Sequence, residues 1–280
     1  MQVVQRISEL REQVRCWREQ RLAVSFVPTM GNLHAGHVAL VKAAREQGDR
    51  VVVSLFVNPT QFGAGEDYEA YPRSLEVDCA RLEALAVDTV FAPSALEIYP
   101  AGTAGHTRVD VPALSGILCG AFRPGHFSGV ATVVAKLLNI VQPDVAVFGR
   151  KDYQQLLVIW AMVADLALPV QVIGVPTVRE PDGLACSSRN GNLTPSQRAL
   201  APELHRTLTA LAQALRAGES NFALLEARGR EALEQAGMRP DYVGIRRSAD
   251  LLEPRGGDTE LIVFAAAWLG NTRLIDNVEL

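Results

Sequence analysis

The segment Pro28-Thr29-Met30-Gly31-Asn32-Leu33-His34-Ala35-Gly36-His37 carries two histidines three positions apart, with a glycine between them. It follows a short apolar run and opens a helical pattern, so His34 and His37 share one face of a first helical turn. Free N–H groups and the positive end of the helix dipole suit that position to an anion. Imidazoles hydrogen-bond phosphate oxygens and, when protonated, neutralise them. Gly36 would let a nucleotide come close to the backbone. Two histidines that merely cap a helix are the plainer reading of the same residues, and this segment alone leaves both open.

Three further segments combine polar side chains in loop positions. Gly149-Arg150-Lys151-Asp152-Tyr153-Gln154-Gln155 follows an apolar run and starts a helix. Lys151 could neutralise phosphate there, and Gln155, four residues on, shares its face. Cys186-Ser187-Ser188-Arg189 lies between two turn signals, and its two hydroxyls and guanidinium would make an anion clamp. Phe56-Val57-Asn58-Pro59-Thr60-Gln61-Phe62 offers Asn58 and Gln61 to hydroxyls or a carboxylate, with aromatic walls from Phe56 and Phe62. Tyr71-Pro72-Arg73 and Arg123-Pro124-Gly125-His126-Phe127 are polar-aromatic loops of the same kind. A Gly-x-x-x-x-Gly-Lys-Ser/Thr loop, a Gly-x-Gly-x-x-Gly turn after a strand and a Gly-x-Ser-x-Gly elbow are all absent.

The elements that must position these residues alternate. The first twenty residues read as a charged amphipathic helix, followed by a strand from Ala23 to Val27 and a helix near Val38 to Gln47. The β-branched run Arg50 to Val57 predicts a strand buried on both faces. A helix over 73–86 and a strand from Thr89 to Ala92 come next, then a Pro- and Gly-rich stretch without a clear assignment. Val130, Val133, Val134, Leu137, Leu138 and Val141 form one apolar helical stripe. Asp144 to Phe148, a helix from Lys151 to Leu166 and Val170 to Val175 complete the alternation. This order predicts an α/β fold with a parallel sheet of five strands. After Pro176 the rhythm changes: a hairpin within 179–194, helices over 195–217 and 221–236, and strands near 242–247, 260–268 and 273–278. We therefore expect one domain over 1–176 and a smaller C-terminal α+β domain over 177–280.

Composition narrows the classes. The chain has 280 residues, 48% hydrophobic and 21% charged, which excludes disorder and low complexity. A net charge of −4 gives no global pull toward nucleic acid or anionic membranes. Cys16, Cys79, Cys119 and Cys186 are too scattered for a metal-ligand or redox pair. There is no signal-peptide core at the N-terminus and no run of about 18 apolar residues. The expectation is a cytoplasmic protein with small-molecule partners, neither nucleic acid nor membrane.

Taken in order, PTMGNLHAGH (28–37), FVNPTQF (56–62), YPR (71–73), RPGHFSGVATVVAKLLNIVQPDVAVFG (123–149), KDYQQ (151–155) and DGLACSSRNGNL (182–193) resemble the pantoate–β-alanine ligase family over nearly the whole chain. The His-x-Gly-His element by itself is shared by many nucleotidyltransferases. The resemblance implies a Rossmann-like nucleotidyltransferase domain, a C-terminal domain that closes over it, and a homodimer. It implies ATP-dependent condensation of (R)-pantoate with β-alanine through a pantoyl adenylate, releasing AMP and pyrophosphate, with ATP as substrate and Mg²⁺ beside it.

By the same resemblance, His37, His34 and Lys151 would be catalytic, with His37 as proton donor. Met30, Gly31, Asn32, Leu33, His34, Ala35, Gly36 and His37 would bind ATP. So would Gly149, Arg150, Lys151, Asp152, Val178, Cys186, Ser187, Ser188 and Arg189. Gln61 and Gln155 would hold pantoate, and Gln61 would border β-alanine. No metal ligands are assigned. Three positions depart from the family pattern: Arg150 stands where Glu or Gln is usual, Thr60 where Met is common, and Cys186 where Met or Leu is common. Two alternatives remain: a nucleotidyltransferase with a phosphorylated acceptor, and a non-catalytic nucleotide-binding module. The neutral pair Gln61 and Gln155 argues against the first, since a phosphorylated acceptor would want cations there. The intact polar set argues against the second.

Overall fold

The structure, a computed structural model, describes residues 1–280 except Ala64 and Asp67. Six strands form one parallel sheet: β1 (Gln2–Val4), β2 (Val24–Thr29), β3 (Arg50–Leu55), β4 (Thr89–Phe91), β5 (Val145–Gly149) and β6 (Gln171–Val175), in the order β1-β4-β3-β2-β5-β6. The predicted α/β fold is present, with one strand more than expected. Gln2–Val4 pairs with β4 rather than joining the first helix, α1 (Ile7–Glu19). A three-residue strand is too short to show periodicity, and its partner lies almost ninety residues away.

The sheet is buried on both faces, and side chains alternate between them. Val24 and Phe26 of β2, Val52 of β3 and Ala146 and Phe148 of β5 pack toward α1, α7 (His126–Val141) and α8 (Tyr153–Asp165). Val27, Val51, Val53, Val145 and Val147 pack toward α2 (Ala35–Gln47) and α3 (Leu75–Ala84). The stripe predicted on α7 is buried throughout. The Pro- and Gly-rich stretch holds three single-turn helices, α4 (Ala95–Ile98), α5 (Pro112–Ser115) and α6 (Cys119–Phe122). Strand order reverses between β2 and β5. In open α/β sheets the crevice outside the strands' carboxyl ends at such a point is where ligands bind.

Beyond β6 the chain builds α9 (Pro195–Leu200), α10 (Glu203–Arg216), α11 (Phe222–Gln235) and an antiparallel sheet of β7 (Arg239–Arg247), β8 (Leu261–Leu269) and β9 (Thr272–Glu279). The helix expected over 195–217 is two helices, because Pro202 lacks the N–H that would continue the ladder. The expected hairpin over 179–194 is minimal. A single bridge joins Arg179 and Ala185 around Pro181-Asp182-Gly183, with Gly183 at φ +96°. The second turn signal falls instead in a 3₁₀ turn, Ser188–Asn192. One face of the antiparallel sheet packs on α10 and α11. The other sends Ile262 and Phe264 into the core of α7 and α8, with the Phe264 ring 6.0 Å from Tyr153. No helix among the described residues is long and apolar enough to cross a membrane.

Candidate active site

The loop after β2 and the turn after β5 flank the strand-order reversal. The first is held by a buried carboxylate. Gly31 (φ +81°) and Asn32 (φ +50°) turn the chain through the left-handed region. Asp78 of α3 accepts from the N–H groups of Asn32 (2.8 Å) and Leu33 (2.9 Å) and from the Ser74 hydroxyl (3.0 Å). A side chain at Gly31 would crowd Asp78 as well as strain the backbone. Arg81 donates to the Leu33 carbonyl.

His34 caps α2, its Nδ1 accepting from the Gly36 N–H at 3.1 Å, and His37 Nδ1 accepts from the His34 N–H at 3.2 Å. The capping and ligand readings of this pair are therefore compatible. Both Nδ1 atoms are spent on the backbone, so each neutral ring carries its proton on Nε2. The rings lie 4.1 Å apart. Burial, then the charge of Lys151, lowers His34 to about 4. Burial, then neighbouring His34, lowers His37 to about 3. Both are neutral donors at pH 7. Gly36 lines the cavity and also makes room for the cap, since a Cβ there would lie 2.8 Å from His34 Cε1.

Lys151 and Asp152 lie in the 3₁₀ turn that precedes α8. The adjacent glutamines divide their work. Buried Gln154 accepts from the Cys119 N–H and donates to the Leu114 and Ile117 carbonyls, pinning the short helices. Gln155 turns into the cavity. Gln61 is buried, accepting from Asn58 Nδ2 at 3.1 Å and setting its Nε2 3.1 Å from Met30 Sδ. Its carbonyl takes a hydrogen bond from His126 Nδ1 (2.8 Å), while His126 Nε2 accepts from Arg123 (3.0 Å). Burial first, then Arg123, lowers His126 to about 4. Arg123 is in turn gripped by both oxygens of Glu66. Thr60 joins this scaffold, its hydroxyl 3.0 Å from Asn58 Oδ1 and 3.2 Å from Tyr99.

These residues enclose a cavity of about 220 Å³ at the ends of β2 and β5. Met30, His34, Gly36, His37, Gln61, Gly149, Lys151, Asp152, Gln155, Val178, Cys186, Ser187, Ser188 and Arg189 line it. It opens into a second cavity of about 550 Å³ under the antiparallel sheet, which shares Met30, Gln61, Lys151, Asp152, Gln155, Ser187 and Arg189. Ser187 caps its own turn, and Ser188 lies 3.3 Å from the Tyr71 hydroxyl.

Five expected ATP contacts do not line either cavity. Gly31 is used in the turn, and Asn32, Leu33 and Ala35 line an adjoining open groove that shares His34, Ser187 and Ser188 with the cavity and includes Arg81. The Arg150 side chain points away, donating to the Gly174 carbonyl (3.1 Å) and to Glu279 of β9 (3.0 Å). Phe56 stands in the cavity wall as expected, but sequence reasoning did not place the rest of that apolar wall, Val130, Val133, Val134, Leu137 and Phe148, in the site. The helical stripe was visible, but not that part of it faces this cavity as well as the core.

Comparison with known proteins agrees over the full length. The family model described as pantoate-beta-alanine ligase matches residues 2–279. A pantothenate synthetase of Alkalilimnicola ehrlichii is 57% identical over 100% of this chain and 98% of its own. One of Pseudomonas aeruginosa is 56% identical over 100% and 99%. The crystal structure of pantothenate synthetase from Thermus thermophilus superposes with a TM-score of 0.93 at 49% identity, covering 100% of this chain and 99% of that one. That of the Francisella tularensis pantoate-beta-alanine ligase, complexed with beta-gamma ATP and beta-alanine, gives 0.82 at 36%, covering 100% and 97%. The chain therefore belongs to the pantoate-beta-alanine ligase family, enzymes that form pantothenate from pantoate and β-alanine.

Proposed function

We propose that the enzyme works through an adenylate. Pantoate's carboxylate attacks the α-phosphorus of ATP, pyrophosphate leaves, and the β-alanine amine then attacks the activated acyl carbon and releases AMP. The observation that carries this reading is the convergence on one cavity of His34, His37, Lys151 and the Ser187–Arg189 turn, beside the neutral glutamines Gln61 and Gln155. The Francisella relative's complex with an ATP compound and β-alanine supports the same substrates here.

Adenylation needs in-line placement and stabilisation of charge on phosphate oxygens more than covalent help. The histidines enter as neutral Nε2–H donors, and a bound triphosphate would raise their pKa values by opposite charge. His37 would then donate to the phosphoryl oxygens, and Lys151 would offset their charge. Gln61 and Gln155 would hold pantoate's hydroxyls and carboxylate, with its gem-dimethyl carbon against Val130, Val133 and Val134. Gln61 would also border β-alanine. An acyl adenylate hydrolyses readily, so residues 177–280 would act as a lid that excludes water.

Mg²⁺ belongs to this proposal as the companion of ATP. Among the described residues no three His, Cys, Asp or Glu stand together as a cage, and Asp78 spends its oxygens on the loop. A cytoplasmic homodimer completes the reading, and light scattering on the eluting protein tests the dimer.

The decisive experiment is pantoate-dependent exchange of labelled pyrophosphate into ATP, without β-alanine. Exchange, followed by AMP release when β-alanine is added, supports the adenylate. Absence of exchange in a protein that binds ATP overturns it.

A further inference from the structure

The last strand carries two adjacent buried polar residues, Asp276 and Asn277, on opposite faces of the antiparallel sheet. Asp276 lies opposite Ala265, on the side of α10, and receives both Nη atoms of Arg179 at 2.6 and 3.0 Å. Asn277 lies opposite Phe264, on the side of α8. Its Nδ2 donates to the carbonyls of Arg150 (2.9 Å) and Lys151 (2.8 Å).

Those two carbonyls sit where the chain has left β5 and has not yet entered α8. Backbone carbonyls withdrawn from solvent need donors, and for these two part-buried ones a single amide supplies a hydrogen to each. Asn277 is only 4% exposed and stands behind the cavity wall rather than in it. Lys151, by contrast, reaches both cavities. A lysine ammonium on a flexible stem is aimed only as well as its backbone is held.

We infer that Asn277 is a positioning residue: it fixes the main chain of Lys151 so that the ammonium meets the phosphates. The inference rests on the reading of Lys151 given under the proposed function. It gives the C-terminal strand a part in the first half-reaction although Asn277 touches no substrate. The neighbouring Asp276 holds Arg179, which bridges to Ala185 just before the Ser187–Arg189 turn, so one strand braces both walls.

The test measures pantoate-dependent pyrophosphate exchange and thermal midpoint for Asn277→Ala and Asn277→Asp, each in the native and the Lys151→Ala background. Asn277→Asp keeps the size but turns oxygens toward both carbonyls. In the native background Asn277→Ala should lower kcat roughly tenfold, and Asn277→Asp more, with the KM for pantoate moving less than about twofold. In the Lys151→Ala background Asn277→Ala should cost less than about twofold, because the group it aims is gone. Equal losses in both backgrounds, or native exchange by a folded Asn277→Ala, would overturn the inference while leaving the role of Lys151 intact. Native exchange by Lys151→Ala would instead sink that reading and the inference together. Asn277→Ser, which keeps one donor, serves if the alanine variant does not fold. Its expected loss is about threefold with the same dependence on background.

Discussion

The two strand ends that flank the cavity are braced differently. The histidine side is nearly self-contained: His34 and His37 cap their own helix, and the brace, Asp78, comes from α3, the α-helix that follows it in the chain. The lysine side has one nearby contact, from Arg150 to the Gly174 carbonyl of β6. Its turn is held by Asn277 and by an Arg150–Glu279 pair, from residues 126 to 129 positions away. An anion site at a helix start can be assembled from neighbours. The turn that carries Lys151 is bonded to β9 instead, so the seating of that strand and the placement of the lysine's main chain are one event.

The largest way to probe this contrast is His37→Ala. If the ring acts on the reacting phosphate, exchange should fall by roughly 10²–10⁴-fold with little change in thermal midpoint. A near-native rate would remove His37 from the chemistry. Asp78→Ala should do the opposite and lower stability by roughly 2–5 kcal/mol, since it leaves the buried Leu33 N–H and the part-buried Asn32 N–H without acceptors. Denaturant unfolding checks this, and a loss below about 1 kcal/mol would show that the loop holds itself.

The histidines also set a pH dependence. Their folded pKa values, about 4 for His34, 3 for His37 and 4 for His126, lie below the unfolded value of 6.5. The unfolded chain therefore binds protons first, so this stabilisation is complete above pH 6.5 and is lost as pH falls toward 4. Melting points across that range should fall with acid, and less steeply in His126→Asn. A flat profile would place the imidazoles in water.

Gln155→Ala separates acceptor from nucleotide. The KM for pantoate should rise roughly tenfold and that for ATP much less. Equal changes would move pantoate elsewhere. The smallest effect belongs to Arg150→Ala. The guanidinium and the Glu279 carboxylate are both more than a third exposed, so stability should change by about 0–1 kcal/mol. A tenfold loss of exchange would make this pair, not Asn277, the brace that matters.

Much of the site was legible because its residues lie in short ordered motifs. His34, His37, Gln61, Lys151, Gln155 and Ser187–Arg189 all reach one cavity, as their types suggested. The five positions that do not line it, Gly31, Asn32, Leu33, Ala35 and Arg150, sit inside those same motifs. A motif marks a stretch of chain, whereas side-chain direction depends on local φ, ψ and on partners elsewhere. Likewise Pro202 and the three-residue β1 escaped a reading based on periodicity, one because a break is local and the other because three residues have no period.

The sequence by itself determined the alternation of strands and helices, the change of rhythm after Pro176, and the kinds of groups available at each strand end. These follow from hydrophobic period and residue chemistry, which are local properties. Only the tertiary structure decided which strand lies beside which. It also decided that Nδ1 of both histidines faces the backbone, and that Asp78 and Asn277 serve the loops rather than a ligand. A buried hydrogen bond is made with whatever donor or acceptor folding brings within about 3 Å, and that partner can stand anywhere in the chain.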